Sequence, residues 1–268
     1  SSPGLFLQWL LPDIQNLNEY AANWHVHAMS EKLMMLYRGH VRRLIINAPP
    51  RSLKTSTCTT FFIPWLLGKD PRFQIMLVTY SDEFAEHLGN QVRKIMRHPE
   101  YKRLFTDTQL VNEKARSTRL RTTKGGKVTI TSFHATMTGL GADYIIVDDP
   151  IQTNDVRSEV KMKDTINRFK EGLYSRLNDP KIGRIFLVMP RICPDYLTGA
   201  LLDRSEFEHL KLPAQFKEDT TYKMPFENEH VAQAEAKVLQ NCLQVQVLLQ
   251  GNIQDYNKAH AKLMSRLK

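Results

Sequence analysis

The chain has 268 residues, 42% of them hydrophobic and 24% charged, the balance of an ordinary globular protein with room for one large or two small domains. Lys and Arg number 37 against 28 Asp and Glu, a formal net charge of +9, which suits a polyanionic partner and equally suits plain solubility. Cys58, Cys193 and Cys242 show neither zinc-ligand spacing nor an even count, which argues against a disulfide framework and for a reducing compartment, and the longest apolar run, Phe61–Leu67, is too short to span a bilayer and contains Pro64.

In chain order, residues 1–40 read as mostly helical, with Trp24, Met29, Leu33 and Leu36 at helical spacing and Gly39 as a stop. The run "RRLIINA", Arg42 to Ala48, is short, apolar and suited to a buried strand. "PPRSLKT" is a turn, and "STCTTFFIPWLLG" starts a helix ended by Gly68. "QIMLVTY" is a second buried strand. The helix "SDEFAEHLGNQVRKIMRHP" follows it, capped by Ser81, with acids in its first turn and bases in its last. "STRLRTTKGGKVTITSF" reads as two strands around a Lys-Gly-Gly-Lys turn. "ADYIIVDDP" is an apolar strand ending in two acids. Glu159 to Leu177 is a helix, "GRIFLVM" a strand, "DYLTGALLD" a short helix and "FEHLKLP" a possible last strand. Such alternation predicts an α/β fold: a mostly parallel sheet covered by helices on both faces, with ligands gathered beyond the carboxyl ends of its strands. After Pro225 the chain turns rich in Gln, Ala and Leu. Two helices broken near Gly251 and Asn252 are expected there, so residues 1–225 form the main domain and 226–268 a helical tail or linker.

Two segments carry chemistry. In a phosphate-binding loop, backbone N–H groups and a helix N-terminus face phosphate oxygens, a lysine adds charge, and the next hydroxyl ligates Mg²⁺. Lys54 and Thr55 have the right identity, order and position after a strand, but Leu53 stands where glycine is usual. A leucine fits there only if the local backbone angles are ordinary. "YIIVDDP" brings Asp148, suited to hold Mg²⁺, and Asp149, suited to orient or deprotonate an attacking water. By itself the acidic pair also fits a plain turn before Pro150. Charge is clustered as well. Lys114 to Lys127 contains six basic residues and no acid, and Val92 to Arg103 contains five basic residues and one Glu. Such clusters suit a nucleic-acid backbone, so Arg119, Arg121, Lys124 and Lys127 are candidate DNA contacts.

Taken together, "WHVHAMSEKL", "RRLIINAPPRSLKT", "PWLLGKDP", "LVTYSDEFAEHLGNQVR", "RTTKGGKVTITS", "TGLGADYIIVDDP", "LYSRLNDPKIGRIFLVMPR" and "LKLPA" are specific in order and spacing. Over roughly Trp24 to Ala214 the chain resembles the ATPase half of the large terminase subunit of tailed phages and prophages. That resemblance implies a P-loop NTPase-type fold and ATP with Mg²⁺ as cofactors. Leu53 then looks like a family variant of a loop spanning Pro50, Arg51, Ser52, Leu53, Lys54, Thr55 and Ser56. Arg51 would contact the γ-phosphate, and Thr55 and Asp148 would serve the metal. Trp24 and His25 fall in the stretch that contacts adenine in related motors, although Trp24 equally suits a core. Arg191 would belong to the segment coupling hydrolysis to movement along DNA. That segment, "MPRICPDYL", departs from the family at Pro190, Cys193, Pro194 and Tyr196 and keeps Arg191 and Asp195. Leu140 stands where relatives often have an arginine finger. Arg157, Arg168 or Arg176 could substitute, and each also suits a solvated helix face.

The family's partners are double-stranded DNA, a portal protein, a small terminase subunit and further copies of the motor, a ring of five by family analogy, with monomers common for isolated motor domains. The expected location is the bacterial host cytoplasm, without a membrane. The family's nuclease half has an RNase H-like fold. Glu227, Glu229, Glu235 and Asp255 lack the alternating strands that would assemble such a site. Two other readings stand beside the packaging motor: a catalytically impaired prophage remnant kept for DNA binding or assembly, and a helicase-like translocase, for which no second motor domain is seen.

Overall fold

The computed structural model describes residues 2–15, 20, 22–111, 116–137, 139–151, 158–190, 197–203 and 206–212. The tail expected over 226–268, its boundary at residue 225, and Arg157 and Arg191 lie outside them.

Seven strands form one sheet: β1 Arg43–Asn47, β2 Gln74–Thr79, β3 Arg119–Arg121, β4 Lys127–Ser132, β5 Tyr144–Asp148, β6 Arg184–Met189 and β7 Glu208–Lys211. Their order is β3-β4-β2-β5-β6-β1-β7. Every neighbouring pair is parallel except β3 with β4, which form the expected hairpin. The central strands are apolar along nearly their whole length because both faces are covered. On one face, Ile45, Met76, Val78, Ile145, Val147, Ile185 and Leu187 pack against Phe169, Leu173, Leu197 and Leu201. Those four lie on the helix α6, Glu159–Asn167, with its continuation, and on α7, Leu197–Leu202. The opposite face meets α3, Phe62–Lys69, where Phe62 stands edge-on to Phe186 of β6. It also meets α4, Asp82–Arg97. There a Cβ on Gly89 would come 3.2 Å from the Ile130 side chain of β4 and 2.3 Å from the Ser117 carbonyl oxygen.

Two further helices precede the sheet, α1 Pro3–Gln15 and α2 Trp24–Arg38. Gly39 ends α2 in the left-handed conformation at φ 79°, as expected of that glycine. The Arg184 guanidinium donates to the end of the helix, to the Tyr37 carbonyl at 3.2 Å and to the Leu36 carbonyl at 2.7 Å, which also accepts the Gly39 N–H at 3.2 Å. Ser81 caps α4 by accepting from the Phe84 N–H, with Asp82 and Glu83 in the first turn and Lys94 and Arg97 in the last.

Three local readings change. Gly68 does not end its helix: α3 runs on to Lys69, and Gly68 is needed because a Cβ there would lie 2.5 Å from the Phe105 ring. The helix expected over 159–177 is not uniformly α. It passes into a π-helical turn, Arg168–Leu173, and a 3₁₀ turn, Tyr174–Arg176, a change of pitch that apolar spacing does not reveal. A short helix, α5 Pro99–Leu104, capped by His98, sits inside what reads from sequence only as a basic segment. No described helix is long and apolar enough to cross a membrane.

Candidate functional site

The carboxyl ends of β1, β2, β5 and β6 form one rim of the sheet, with Asn47, Thr79, Asp148 and Met189 as their last residues. From β1 the chain makes the turn Ala48–Leu53 and enters the helix that carries Lys54 and Thr55. Arg51 and Leu53 lie in the left-handed region, at φ 62° and 57°. The expectation that Leu53 needs ordinary angles is therefore overturned. An L-residue there is strained by about 1–2 kcal/mol, which the flanking strand and helix hold in place. Left-handed residues alternating with others turn successive N–H groups toward one concavity, the arrangement that receives anionic oxygens. Ser52 closes the turn by donating to the Pro49 carbonyl at 2.7 Å. Pro50 and Arg51 are exposed at the lip.

Lys54 and the two acids converge. Lys54 Nζ lies 3.0 Å from Asp149 Oδ2. The Thr55 hydroxyl lies 3.4 Å from Asp148 Oδ1, a long contact, and the Thr59 hydroxyl donates to Asp148 Oδ2 at 2.8 Å. Asp149 has φ 47°, which turns its side chain off the line of β5 and onto Lys54, while its N–H donates to the Val188 carbonyl of β6 at 3.0 Å. Asp148 is fully buried, and its pKa is pushed up to about 7, first by burial and then by the Asp149 charge, against the pull of the Thr59 bond and of Lys54. Asp149 is also shifted upward by burial, opposed by Lys54. Asp149 Oδ1 is buried without a hydrogen-bond partner among the described residues, as is the Thr79 hydroxyl on the strand beside Asp148. A buried acceptor left without a partner costs about 1–3 kcal/mol, so Asp149 Oδ1 is set up for a donor, such as ordered water or a group of positive charge.

The residues fit Mg²⁺ in the way a nucleotide site does. Among the described residues, no group of three or more His, Cys, Asp or Glu converges. The candidate donors are Asp148 and Thr55, a carboxylate and a hydroxyl, which suits an ion that takes one or two protein oxygens together with phosphates and waters.

At the N-terminus of α2, His25 hydrogen-bonds to the Ser52 backbone, and burial lowers its pKa. Trp24 stands perpendicular to it, ring centroids 6.0 Å apart. His25 therefore borders the loop, and Trp24 stands beside His25. Ser56 opens a π-helical turn, Ser56–Thr60, closed by the Phe61 N–H on the Ser56 carbonyl at 3.0 Å. Neither that turn nor Thr59 is foreseen from sequence. The available signal for Thr59 is a hydroxyl four residues after Thr55, on the same side of a helix.

The basic residues fall elsewhere. Lys127 pairs with Arg121 and with Gln74 at the start of β2, at the rim opposite the acids. From Lys127 to Ser132 the strand spans roughly 17 Å. Arg119, Arg121 and Lys124 are exposed, and Lys127 is half-buried. In the other basic cluster, Lys94 donates to the Ile14 carbonyl at 2.7 Å and Arg103 pairs with Glu100 at 2.6 Å, so part of that charge is engaged internally. Leu140 packs against the core, Arg168 pairs with Asp164 at 3.0 Å, and Arg176 turns back toward the Gly172 carbonyl at 3.4 Å.

No family model matches the sequence, and no curated protein matches it. Among solved structures, the large terminase of bacteriophage HK97 is similar with a TM-score of 0.54 and 12% identity, over 89% of this chain and 52% of that one. A hypothetical ATP-dependent RNA helicase from Sulfolobus tokodaii follows, with a TM-score of 0.45 and 12% identity, over 76% of this chain and 56% of that one. The chain thus spans about half the length of the HK97 protein and shares its fold across that half.

Proposed function

We propose that this chain is the ATPase motor domain of a phage-type DNA-packaging terminase, hydrolysing ATP to move double-stranded DNA into a procapsid. The observation that carries the reading is the meeting of Lys54 with Asp149 at 3.0 Å, beside Thr55 and Asp148, at the end of a strained loop that follows a parallel strand. In this reading Pro50 to Ser56 cradle the phosphates and Arg51 reaches the γ-phosphate from the lip. Trp24 and His25 border the base. Lys54 leaves Asp149 for the phosphates, which frees Asp149 to hold the attacking water in line with them. Asp148 and Thr55 hold Mg²⁺, which when bound neutralises phosphate charge. Arg191 serves coupling. Arg119, Arg121, Lys124 and Lys127 meet the DNA backbone. The fold shared with the HK97 large terminase supports the reading. By analogy, the partners would be a portal protein, a small subunit and a ring of about five copies.

A second reading, a remnant that keeps the fold for DNA binding or assembly without turnover, draws support from Leu140. That side chain packs on the core, and Arg168 and Arg176 are engaged on their own helix. Phosphate release with and without DNA, from wild type and from Lys54→Ala, separates the two. DNA-stimulated release lost in Lys54→Ala supports the motor. Equal background from both proteins overturns it in favour of the remnant.

A further inference from the structure

Resting on the nucleotide reading, we propose that Thr59 is a positioning residue for Mg²⁺-nucleotide binding: its hydroxyl pins one oxygen of Asp148 so that the other stays presented beside Thr55. The segment Ser56–Thr60 is rich in hydroxyls, yet they are not equivalent. Thr57 finds no hydrogen-bond partner among the described residues, and Thr60 bonds back to the Ser56 carbonyl at 3.4 Å. Cys58 turns toward Met29, with 3.7 Å between the sulfurs. Thr59 alone of these reaches the acid, at 2.8 Å, and it is 0% exposed. The contact spans 89 positions of sequence and ties the helix after the loop to the end of β5.

Asp148 can rotate about two side-chain bonds. The Thr55 contact at 3.4 Å is too long to fix it, and a Thr55 hydroxyl recruited to a cation would release it altogether. The Thr59 bond is the short one and lies on the far oxygen, so it can persist while Oδ1 accepts a new partner. A hydroxyl donating to a carboxylate makes a charge-assisted bond, about twice as strong as a neutral one. The π-helical pitch of this segment sits where such departures often mark functional positions.

The test is equilibrium binding of a fluorescent ATP analogue at fixed nucleotide over a Mg²⁺ titration, for wild type, Thr59→Val, Thr59→Ala and Thr59→Ser, with folding checked by circular dichroism. Valine keeps the shape without the donor, alanine removes both, and serine keeps the donor. The expected result is a half-saturating Mg²⁺ concentration raised about tenfold or more by valine and by alanine, roughly what one charge-assisted hydrogen bond is worth, and restored by serine to within about twofold of wild type. Affinity for the analogue in EDTA stays unchanged. Wild-type Mg²⁺ dependence in a folded valine or alanine variant overturns the role of Thr59 and leaves the nucleotide reading standing. Wild type that binds no analogue at any Mg²⁺ concentration overturns both.

Discussion

Asp148→Asn is expected to make the nucleotide-free protein more stable, by an amount that depends on pH. In the folded chain the Asp148 pKa is raised to about 7 by burial first and the Asp149 charge second, from an ordinary value of 3.8. A raised carboxylate pKa means that the folded state holds the proton more tightly than the unfolded state. Its favourable contribution is complete below about pH 4 and is lost as pH climbs to about 7, because the folded protein must then bury a charge. The rise from 3.8 to about 7, at about 1.36 kcal/mol for each tenfold change in proton affinity, sets a ceiling of about 4 kcal/mol on that loss. Asparagine is nearly isosteric, can still accept from Thr59, and never ionises. The stability of Asp148→Asn minus that of wild type should therefore be small near pH 4, grow between pH 4 and 7, and level off near pH 8 at about 2–4 kcal/mol. Urea unfolding of both proteins at half-unit pH steps measures it, and the difference removes all pH effects common to the two. A second arm works in the other direction. Saturating MgATP should stabilise wild type by mass action, and stabilise the variant less, by the share of the affinity that depends on Mg²⁺. A difference that stays flat from pH 4 to 8 would refute the buried-charge argument.

Leu53→Gly removes about 1–2 kcal/mol of left-handed strain and adds about 0.5–1 kcal/mol of unfolded-state entropy, so melting should stay level or rise by a few degrees, with nucleotide affinity kept; a loss above about 1 kcal/mol in calorimetry would contradict the strain account. Gly89→Ala should destabilise by about 1–3 kcal/mol in the same melts, because the added methyl would lie 2.3 Å from the backbone oxygen of Ser117, while analogue binding survives. Neutralising Arg119, Arg121 and Lys124 together should weaken duplex DNA binding and reduce its log–log salt slope by about 1 for each phosphate contact removed, as read by fluorescence anisotropy. An unchanged slope would move the DNA track away from the β3–β4 turn.

The periodic parts of this chain were readable because a few local rules govern them. "QIMLVTY" and "ADYIIVDDP" are apolar enough to be buried on both faces, and Ser81 with its acids and bases marks both ends of α4 without help from tertiary structure. The meeting of Lys54 with Asp149 followed from the fold class, since both leave the carboxyl rim of a parallel sheet. What stayed hidden depended on contacts distant in sequence. Leu53 at φ 57° defies its own propensity, and only the closed turn between β1 and its helix holds it there. Thr59 reads as one more threonine until β5 brings Asp148 beside it. Arg103 and Lys94 count as free charge in a composition, yet Glu100 and the end of α1 engage them. The position of the basic turn, across the sheet from the acids, followed from the parallel register of β2 with β4, which no local pattern specifies.

The sheet order gives the site a further property. Lys54 rides on the helix after β1 and Asp149 follows β5, but β6 lies between those strands, so the 3.0 Å pair closes over the end of β6. That end is held from both sides. The Val188 carbonyl accepts the Asp149 N–H at 3.0 Å, and the Met189 carbonyl accepts the Ala48 N–H at 3.3 Å and the Asn47 side-chain amide at 3.1 Å. Asn47 also donates to Thr198 of α7 and contacts His209 of β7 at 2.8 Å, with Leu212 closing onto its carbonyl. Two successive carbonyls of β6 thus answer to the two halves of the site, one to the acid and one to the root of the loop. A ligand that draws Lys54 away from Asp149 changes the force on both halves at once, and the common element that must absorb it is the end of β6. Under the motor reading, Arg191 follows that strand by two residues in sequence, so the proposed coupling segment starts where both halves of the site are held.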